Sequence, residues 1–119
     1  MLFRSTMAAG YQELFIEQGS DYVTTVTLDD IDGTAFDLTG YTGKSQIRKS
    51  YYSANATAEF TITILNPTDG TIGLNLDSAN TANIAPGRYL YDVVIKNNQN
   101  VKTRVLEGIV NVLPQVTVF

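Results

Sequence analysis

The chain contains no cysteine, histidine or tryptophan among its 119 residues. Without cysteine there is no disulfide framework, no thiolate nucleophile and no cysteine-based zinc site. Without histidine the chain lacks the side chain that most often serves as a general base near neutral pH and as a metal ligand. We therefore expect a protein that is not an enzyme and that uses no metal and no cofactor. A pair of carboxylates hydrolysing a glycoside is the remaining catalytic alternative, and the sequence places no such pair in one cleft.

Basic side chains are also few. Eight Lys and Arg residues stand against twelve Asp and Glu residues, so the net charge is −4. Because a polyphosphate backbone is bound by clustered Lys and Arg, nucleic acid is not expected as a partner.

Long apolar runs are absent as well, since stretches such as residues 93–95 fall far short of the roughly 20 residues that span a bilayer. No membrane insertion is expected.

The amino terminus lacks the features of a secretory signal, because residues 1–7 carry one positive charge and no apolar core. We expect residues 1–10 to form a flexible arm and residues 11–119 to form a single β-sandwich domain, since a chain of this length supports one core. Met7-Ala8-Ala9-Gly10 would itself serve as a normal beginning, so both start sites remain open.

From Gln12 onwards apolar residues recur at every second position, which is the period of a strand with one buried face. Seven or eight short strands separated by turns, without a long helix, predict an antiparallel β-sandwich, with a small barrel as the alternative. The expected strands centre on residues 14–16, 22–28, 36–38, 41–49, 60–64, 72–76, 89–95 and 101–113. Residues 50–58 are expected to form a loop, and residues 77–84 a single helical turn capped by Asp77 or Ser78.

The acidic residues Asp29, Asp30 and Asp32, followed by Gly33, raise the question of a calcium site. An EF-hand loop at this position would need an oxygen ligand at position 28, which is Leu28, and a bidentate Glu at position 39, which is Thr39. Asp and Gly are also the residues that a hairpin turn selects. The pattern favours a solvated hairpin-type turn without metal.

The last strand carries apolar residues on both of its faces, and Leu90 and Val94 interrupt the polar face of the strand before it. Two explanations remain open: a second subunit covers this side, or a bulge near Gly108 exchanges the two faces within the strand. On the first explanation, interface residues are predicted on the last hairpin and on the apolar tail; they are Leu90, Val94, Ile109, Val116, Val118 and Phe119.

Tyrosine is abundant, with seven residues, and rigid amphipathic rings are common at binding surfaces. Most of the tyrosines have the parity of core positions, but Tyr51 and Tyr52 lie in the predicted loop and are proposed as ligand contacts. Asp92 and Glu107 are expected to be inward or interfacial carboxylates. Arg88 and Arg104 are their candidate partners.

Five segments, taken in order, carry a family resemblance. They are residues 16–22 (IEQGSDY), 36–48 (including FDLTGY and QIR), 69–76 (DGTIGLNL), 86–93 (PGRYLYDV) and 106–112 (LEGIVNV). In this order they resemble immunoglobulin-like β-sandwich domains of the structural proteins of tailed bacteriophages, of tail, baseplate or fibre-base type. The similarity covers about residues 12–117.

The resemblance implies a non-enzymatic virion protein, made in the host cytoplasm, that assembles with copies of itself and with other virion proteins. It carries no catalytic residue onto this chain. The alternative function is a small β-sandwich module that binds carbohydrate or a host surface, with Tyr51, Tyr52 and the acidic turn at residues 29–32 as contacts.

Overall fold

The computed structural model describes residues 10–29, 34 and 36–117. The eight strands are β1 (Gly10–Tyr11), β2 (Leu14–Glu17), β3 (Tyr22–Thr27), β4 (Thr42–Arg48), β5 (Ala58–Asn66), β6 (Thr71–Leu76), β7 (Gly87–Lys96) and β8 (Lys102–Leu113). A 3-10 turn at Pro67–Asp69 and the four-residue helix α1 (Ser78–Thr81) complete the regular structure. The predicted all-β class is confirmed. No helix in these ranges is long and apolar enough to span a membrane.

The strands follow one curled path in the order β1, β8, β7, β4, β5, β6, β3, with β2 also paired to β8. β5 belongs to both layers of the sandwich, because residues 58–60 pair with β4 and residues 61–66 pair with β6. We call β1, β2, β8, β7 and β4 the front sheet, and β5, β6 and β3 the back sheet. Apart from the parallel pairing of β1 and β2 with β8, all pairs are antiparallel.

The strand order is that of an immunoglobulin-like sandwich. In that fold the second, fifth and fourth strands form one sheet, and the third, sixth and seventh form the other. If β1 and β2 count together as the first strand, the back sheet of this chain contains strands two, five and four, and the front sheet contains three, six and seven. The predicted immunoglobulin-like fold is confirmed.

Inward-facing residues of both sheets form one core, as the period-two pattern predicts. Tyr89 and Tyr91 are buried there, and Tyr22 and Tyr41 lie half-buried at its margin. The ring of Phe60 lies 5.9 Å from that of Tyr22 and 6.1 Å from that of Tyr91. The fully buried aliphatic residues come from both sheets and the connections; they are Ile16, Leu38, Ile47, Ile72, Leu74, Ile84, Val93, Ile95 and Val110.

The connection between the two sheets at residues 77–87 is held by local hydrogen bonds. The carboxylate of Asp77 accepts a hydrogen bond from Asn80 N (3.0 Å), so the predicted cap of the helical turn is confirmed. Tyr89, near the start of β7, donates its hydroxyl to Ala85 O at 2.6 Å. This is the tyrosine corner typical of immunoglobulin-like folds, and it fixes how the chain enters the front sheet.

A β-bulge in β8 explains why that strand is apolar on both faces. Val94 pairs with Arg104 whereas Val93 pairs with Leu106, so Val105 is an extra residue in the ladder. Val105 and Leu106 are consecutive and both buried. The bulge therefore exchanges the inward and outward positions within one strand, and it lies three residues before Gly108, where the sequence suggested it.

Two predictions about the first half of the chain need correction. Residues 36–38 form no strand, although Leu38 is buried and its N–H donates to Pro67 O at 2.8 Å. β3 does not form a hairpin with the strand that follows it, because its ladder partner is β6. A backbone hydrogen bond from Phe36 N to Leu28 O (3.0 Å) links the two sides of the acidic turn, and residues 30–33 and 35 lie outside the described ranges.

Candidate interaction face

The solvent-facing side of the front sheet, which we call the outer face, carries an apolar pair at its centre. Leu90 on β7 lies opposite Ile109 on β8, and both are half-buried. Arg48 on β4 lies opposite Leu90 on the other side. The bulge does not turn Ile109 inward, because the exchange of faces happens before this residue. An aliphatic pair thus faces solvent between flanking polar side chains.

Charged residues surround this pair. Asp92 and Glu107 lie opposite each other on β7 and β8, and Arg104 reaches both. The Arg104 Nε atom is 3.4 Å from Asp92 Oδ2, and its Nη1 atom is 3.7 Å from Glu107 Oε1. The carboxylates therefore lie on the outer face and not in the core, and their partner is Arg104. A pairing of Asp92 with Arg88 is not observed. Two carboxylates that share one guanidinium are typical of a structural ion pair.

On β4 a second polar group borders the centre of the outer face. Arg48 donates from Nη2 to Gln46 Oε1 at 2.8 Å and from Nη1 to Ser53 O at 3.0 Å. Gln46 in turn donates from Nε2 to Glu59 Oε2 at 3.2 Å. Because the guanidinium is held at two points, its remaining N–H groups project in a defined direction. This side of the face is preorganised for hydrogen bonding.

An open groove of about 240 Å³ lies in the outer face beside the apolar pair. Tyr51, one of the two loop tyrosines proposed from sequence, lines this groove and is 75% exposed. Tyr52 is 96% exposed and does not line it. The structure therefore brings Tyr51, but not Tyr52, together with Leu90. The groove lining comprises Gln46, Arg48, Ser50, Tyr51, Leu90, Tyr91, Asp92 and Glu107.

Two aromatic residues that the sequence analysis did not propose extend the outer face to the sheet edge. Tyr11 pairs with Glu107 and is 66% exposed, and Phe15 pairs with Asn111 and is 59% exposed. The outward orientation of Phe15 could have been predicted from the sequence, because Phe15 stands between the inward-facing residues Leu14 and Ile16.

The remaining predicted interface residues are spread more widely. Val94 is half-buried on the outer face, opposite Arg104. Val116 is 97% exposed, but it follows Gln115, whose N–H donates to Gln18 Oε1 (3.3 Å) at the β2–β3 turn. It therefore leaves the sheet at that end and does not join the apolar pair. Val118 and Phe119 lie outside the described residues.

The described ranges contain no group of three or more acidic side chains arranged to hold a metal ion. Of the acidic turn, only Asp29 falls within them, and it is exposed. The interpretation of residues 29–33 as a solvated turn stays a prediction.

The phenol of Tyr91 ties the first strands to the centre of the front sheet. It donates to Gln12 O at 2.7 Å, between β1 and β2. Burial raises the pKa of Tyr91 well above its ordinary value near 10, and nearby Tyr22 and Tyr11 add to the shift. Burial also raises the pKa of Tyr22, against a smaller opposing effect of a hydrogen bond with Thr24.

These shifts predict a loss of stability in alkali. Because the folded-state pKa of Tyr91 lies above the unfolded value, its stabilising contribution is complete below pH 10 and is lost as the pH rises beyond that value. We expect the urea midpoint of the wild type to fall between pH 9.5 and about 11. Tyr91→Phe should show a shallower fall across the same interval. Equal slopes for the two proteins would contradict the assignment.

Comparisons with known proteins bear on the fold only. No family model matches the chain, and no curated protein matches it. Similar solved structures include CopC from Methylosinus trichosporium OB3b, with 11% identity, a TM-score of 0.48, and coverage of 97% of this chain and 93% of that one. A crystal structure of ICOS in complex with ICOS-L and an anti-ICOS-L VNAR domain gives 13% identity and a TM-score of 0.47; 88% of this chain is covered, but only 56% of the other. A structure of VGSC beta subunits gives 15% identity, a TM-score of 0.43, and coverage of 87% and 92%.

Proposed function

We propose that the chain is a non-enzymatic building block of a tailed-bacteriophage virion, and that it assembles through the outer face of its front sheet. The observation that carries the proposal is the apolar pair Leu90–Ile109, which lies half-buried on the outer face within a ring of charged side chains. Partners are further copies of the chain and other virion proteins.

An apolar pair surrounded by charged side chains has the composition of a protein–protein interface. Such interfaces combine an apolar centre, where water is excluded, with a polar rim that sets orientation. Here Arg104, Asp92, Glu107 and Arg48 form the rim, and the two hydrogen bonds that hold the Arg48 guanidinium lower the entropy lost on docking. The face is small, so a single contact would be weak. Repetition by symmetry within a particle supplies the additional affinity through avidity.

The exposed aromatic rings of Tyr11 and Phe15 support the same face. Both lie on the sheet edge beside β8, with most of their surface open to solvent. Aromatic residues are enriched where protein partners bury surface, and they are costly to leave in water. They widen the area available to a partner from the centre of the sheet to its edge.

The experiment is the absolute mass of the full chain in solution, measured by light scattering over a dilution series from about 1 to 100 µM, where specific interfaces normally persist. A mass that corresponds to a closed oligomer is expected at the upper end of the series. A monomer throughout would contradict assembly with copies of the chain.

A second candidate function is carbohydrate binding in the groove of the outer face. The observation that favours it is the placement of the exposed Tyr51 ring beside Arg48 and the Asp92 and Glu107 carboxylates. An aromatic ring for an apolar sugar face, next to hydrogen-bonding groups, is a suitable inventory for a saccharide. Such a protein would act at a host surface.

Tyr51→Ala should then reduce retention on a glycan array by at least about tenfold, since it removes the exposed aromatic ring on which a sugar would stack. Tyr52→Ala is the matched control, because that ring is in the same loop but outside the groove. Retention unaffected by Tyr51→Ala, or no retention by the wild type on any glycan, would exclude this function.

A further inference from the structure

The two ends of the curled sheet differ in how they are protected. One end is formed by β1 and β2, which are two and four residues long and are interrupted at Gln12 and Glu13. Short, interrupted strands with acidic residues such as Glu13 and Glu17 discourage pairing with another chain. These features protect this end of the sheet against pairing with a strand of another chain.

The other end of the sheet is β3, which is neither short nor interrupted and carries no acidic side chain. Its six residues, Tyr-Val-Thr-Thr-Val-Thr, are uninterrupted, uncharged and almost all β-branched. Within the described part of the chain β3 pairs only with β6, so no described strand occupies its second edge. Val23 is 69% exposed on the outward side. A long uncharged edge strand of this kind is a template for another strand.

We propose that β3 pairs antiparallel with β3 of a second copy, about a two-fold axis at Thr24, and so joins two back sheets into one six-stranded sheet. This interface is separate from the outer face of the front sheet and does not depend on it. A second copy is the occupant favoured by symmetry, because a two-fold antiparallel pair needs only one self-complementary strand. The strand meets that requirement, since no charged side chain of one copy would face a like charge of the other.

The alternation of side chains along β3 and the positions of nearby charged residues together select the register of the β3–β3 pair. In a two-fold antiparallel pair, opposing residues lie on the same side of the sheet. With the axis at Thr24, Val23 faces Thr25 of the second copy on the outward side, and Tyr22 faces Val26 on the core side. Both are pairs of the kind that stabilise sheets.

Sliding one strand by two residues gives two other registers. With the axis at Val23, only residues 22–24 of β3 would pair with each other. The competing register has its axis at Thr25, and there Asp21 would face Asp29 of the second copy. Both carboxylates are on exposed residues, and like charges directly opposite each other destabilise a pair. Asp21 already accepts a hydrogen bond from Ser78 N at 2.6 Å, so it is held at the end of β3 and cannot turn away freely. The register with its axis at Thr24 avoids this conflict.

The test uses charge placement in the full chain. Val23→Glu adds an acidic side chain to the edge of each copy, and we expect the dimer to dissociate at least about tenfold more readily in light-scattering dilutions. The double variant Val23→Glu/Thr25→Lys should restore the dimer to within about threefold, because each new carboxylate then faces a new ammonium. In the competing register Thr25 would face itself, and the double variant would not recover.

Val101→Glu is the matched control, since Val101 is also an exposed valine, at the β7–β8 turn and away from β3. Folding is checked by circular dichroism; if Val23→Glu does not fold, Thr25→Glu tests the same contact from the opposing position. A monomeric wild type, or a dimer that Val23→Glu leaves intact, would overturn the inference. A dimer lost with Ile109→Lys but not with Val23→Glu would overturn it too, and would support assembly through the outer face instead.

Discussion

Ile109→Lys is expected to weaken assembly by at least about tenfold while the monomer remains folded. The substitution places an ammonium group in the apolar centre of the outer face, opposite Leu90. A partner that covers this face would have to desolvate that charge without a counter-ion. In the isolated monomer the same side chain reaches water, because Ile109 is only half-buried, and its stem can cover Leu90.

Leu65→Lys is the matched control, since Leu65 is a half-exposed aliphatic residue on β5, in the other sheet. Light scattering should show a lower mass for Ile109→Lys alone, and urea unfolding should show similar midpoints for both variants. An oligomer that survives Ile109→Lys would place the interface elsewhere. If Ile109→Lys does not fold, Ile109→Thr removes apolar contact with less disturbance to the strand.

Gly108→Ala is expected to destabilise the domain by about 2–3 kcal/mol. A Cβ atom at Gly108 would overlap the carbonyl oxygen of Gln12 and lie 3.1 Å from Cε1 of Tyr91. That carbonyl accepts the Tyr91 hydroxyl, and Gln12 N donates to Glu107 O at 3.0 Å. Relief of the overlap would therefore pull the segment between β1 and β2 away from β8 and break both hydrogen bonds.

Gly10→Ala is the control for this substitution, because a Cβ there would make an ordinary 3.5 Å contact with Leu106 Cδ1. Both glycines lie in the contact between the first strands and β8, so only the available space differs. Urea unfolding should separate the two variants clearly. Equal midpoints would show that β1 moves aside without energetic cost, and would contradict the close packing at Gly108.

The strands of this protein were largely predictable, because alternation is a local property. Tyr89, Tyr91, Val93 and Ile95 stand at every second position of the predicted strand at residues 89–95, and all four are buried. The turn that begins at Asn66 and the capped helical turn after Asp77 were also predictable from residues close in sequence. The short strand predicted at residues 36–38 is not formed. Leu38 is buried although it lies in a loop, and in sequence a buried loop residue gives the same apolar pattern as a strand residue.

The candidate site was only partly predictable. Leu90, Val94 and Ile109 were proposed from apolar residues on polar faces, and the structure does place them on the outer face. Tyr51 could be separated from Tyr52 only by tertiary structure, since both residues stand in the same loop with the same neighbours. The groove that distinguishes them is formed by β4, β7 and β8, which come from distant parts of the sequence.

The sequence by itself determined that the chain forms short strands with one buried face, because side-chain alternation and turn residues act over a few positions. Only the tertiary structure decided which strands pair and where the bulge at Val105 falls, because these depend on contacts between residues far apart in the chain. Without the bulge, Arg104 and Glu107 would lie on opposite faces of β8; with it, they share the outer face and form an ion pair. The charged rim of the proposed interface is therefore a product of long-range pairing.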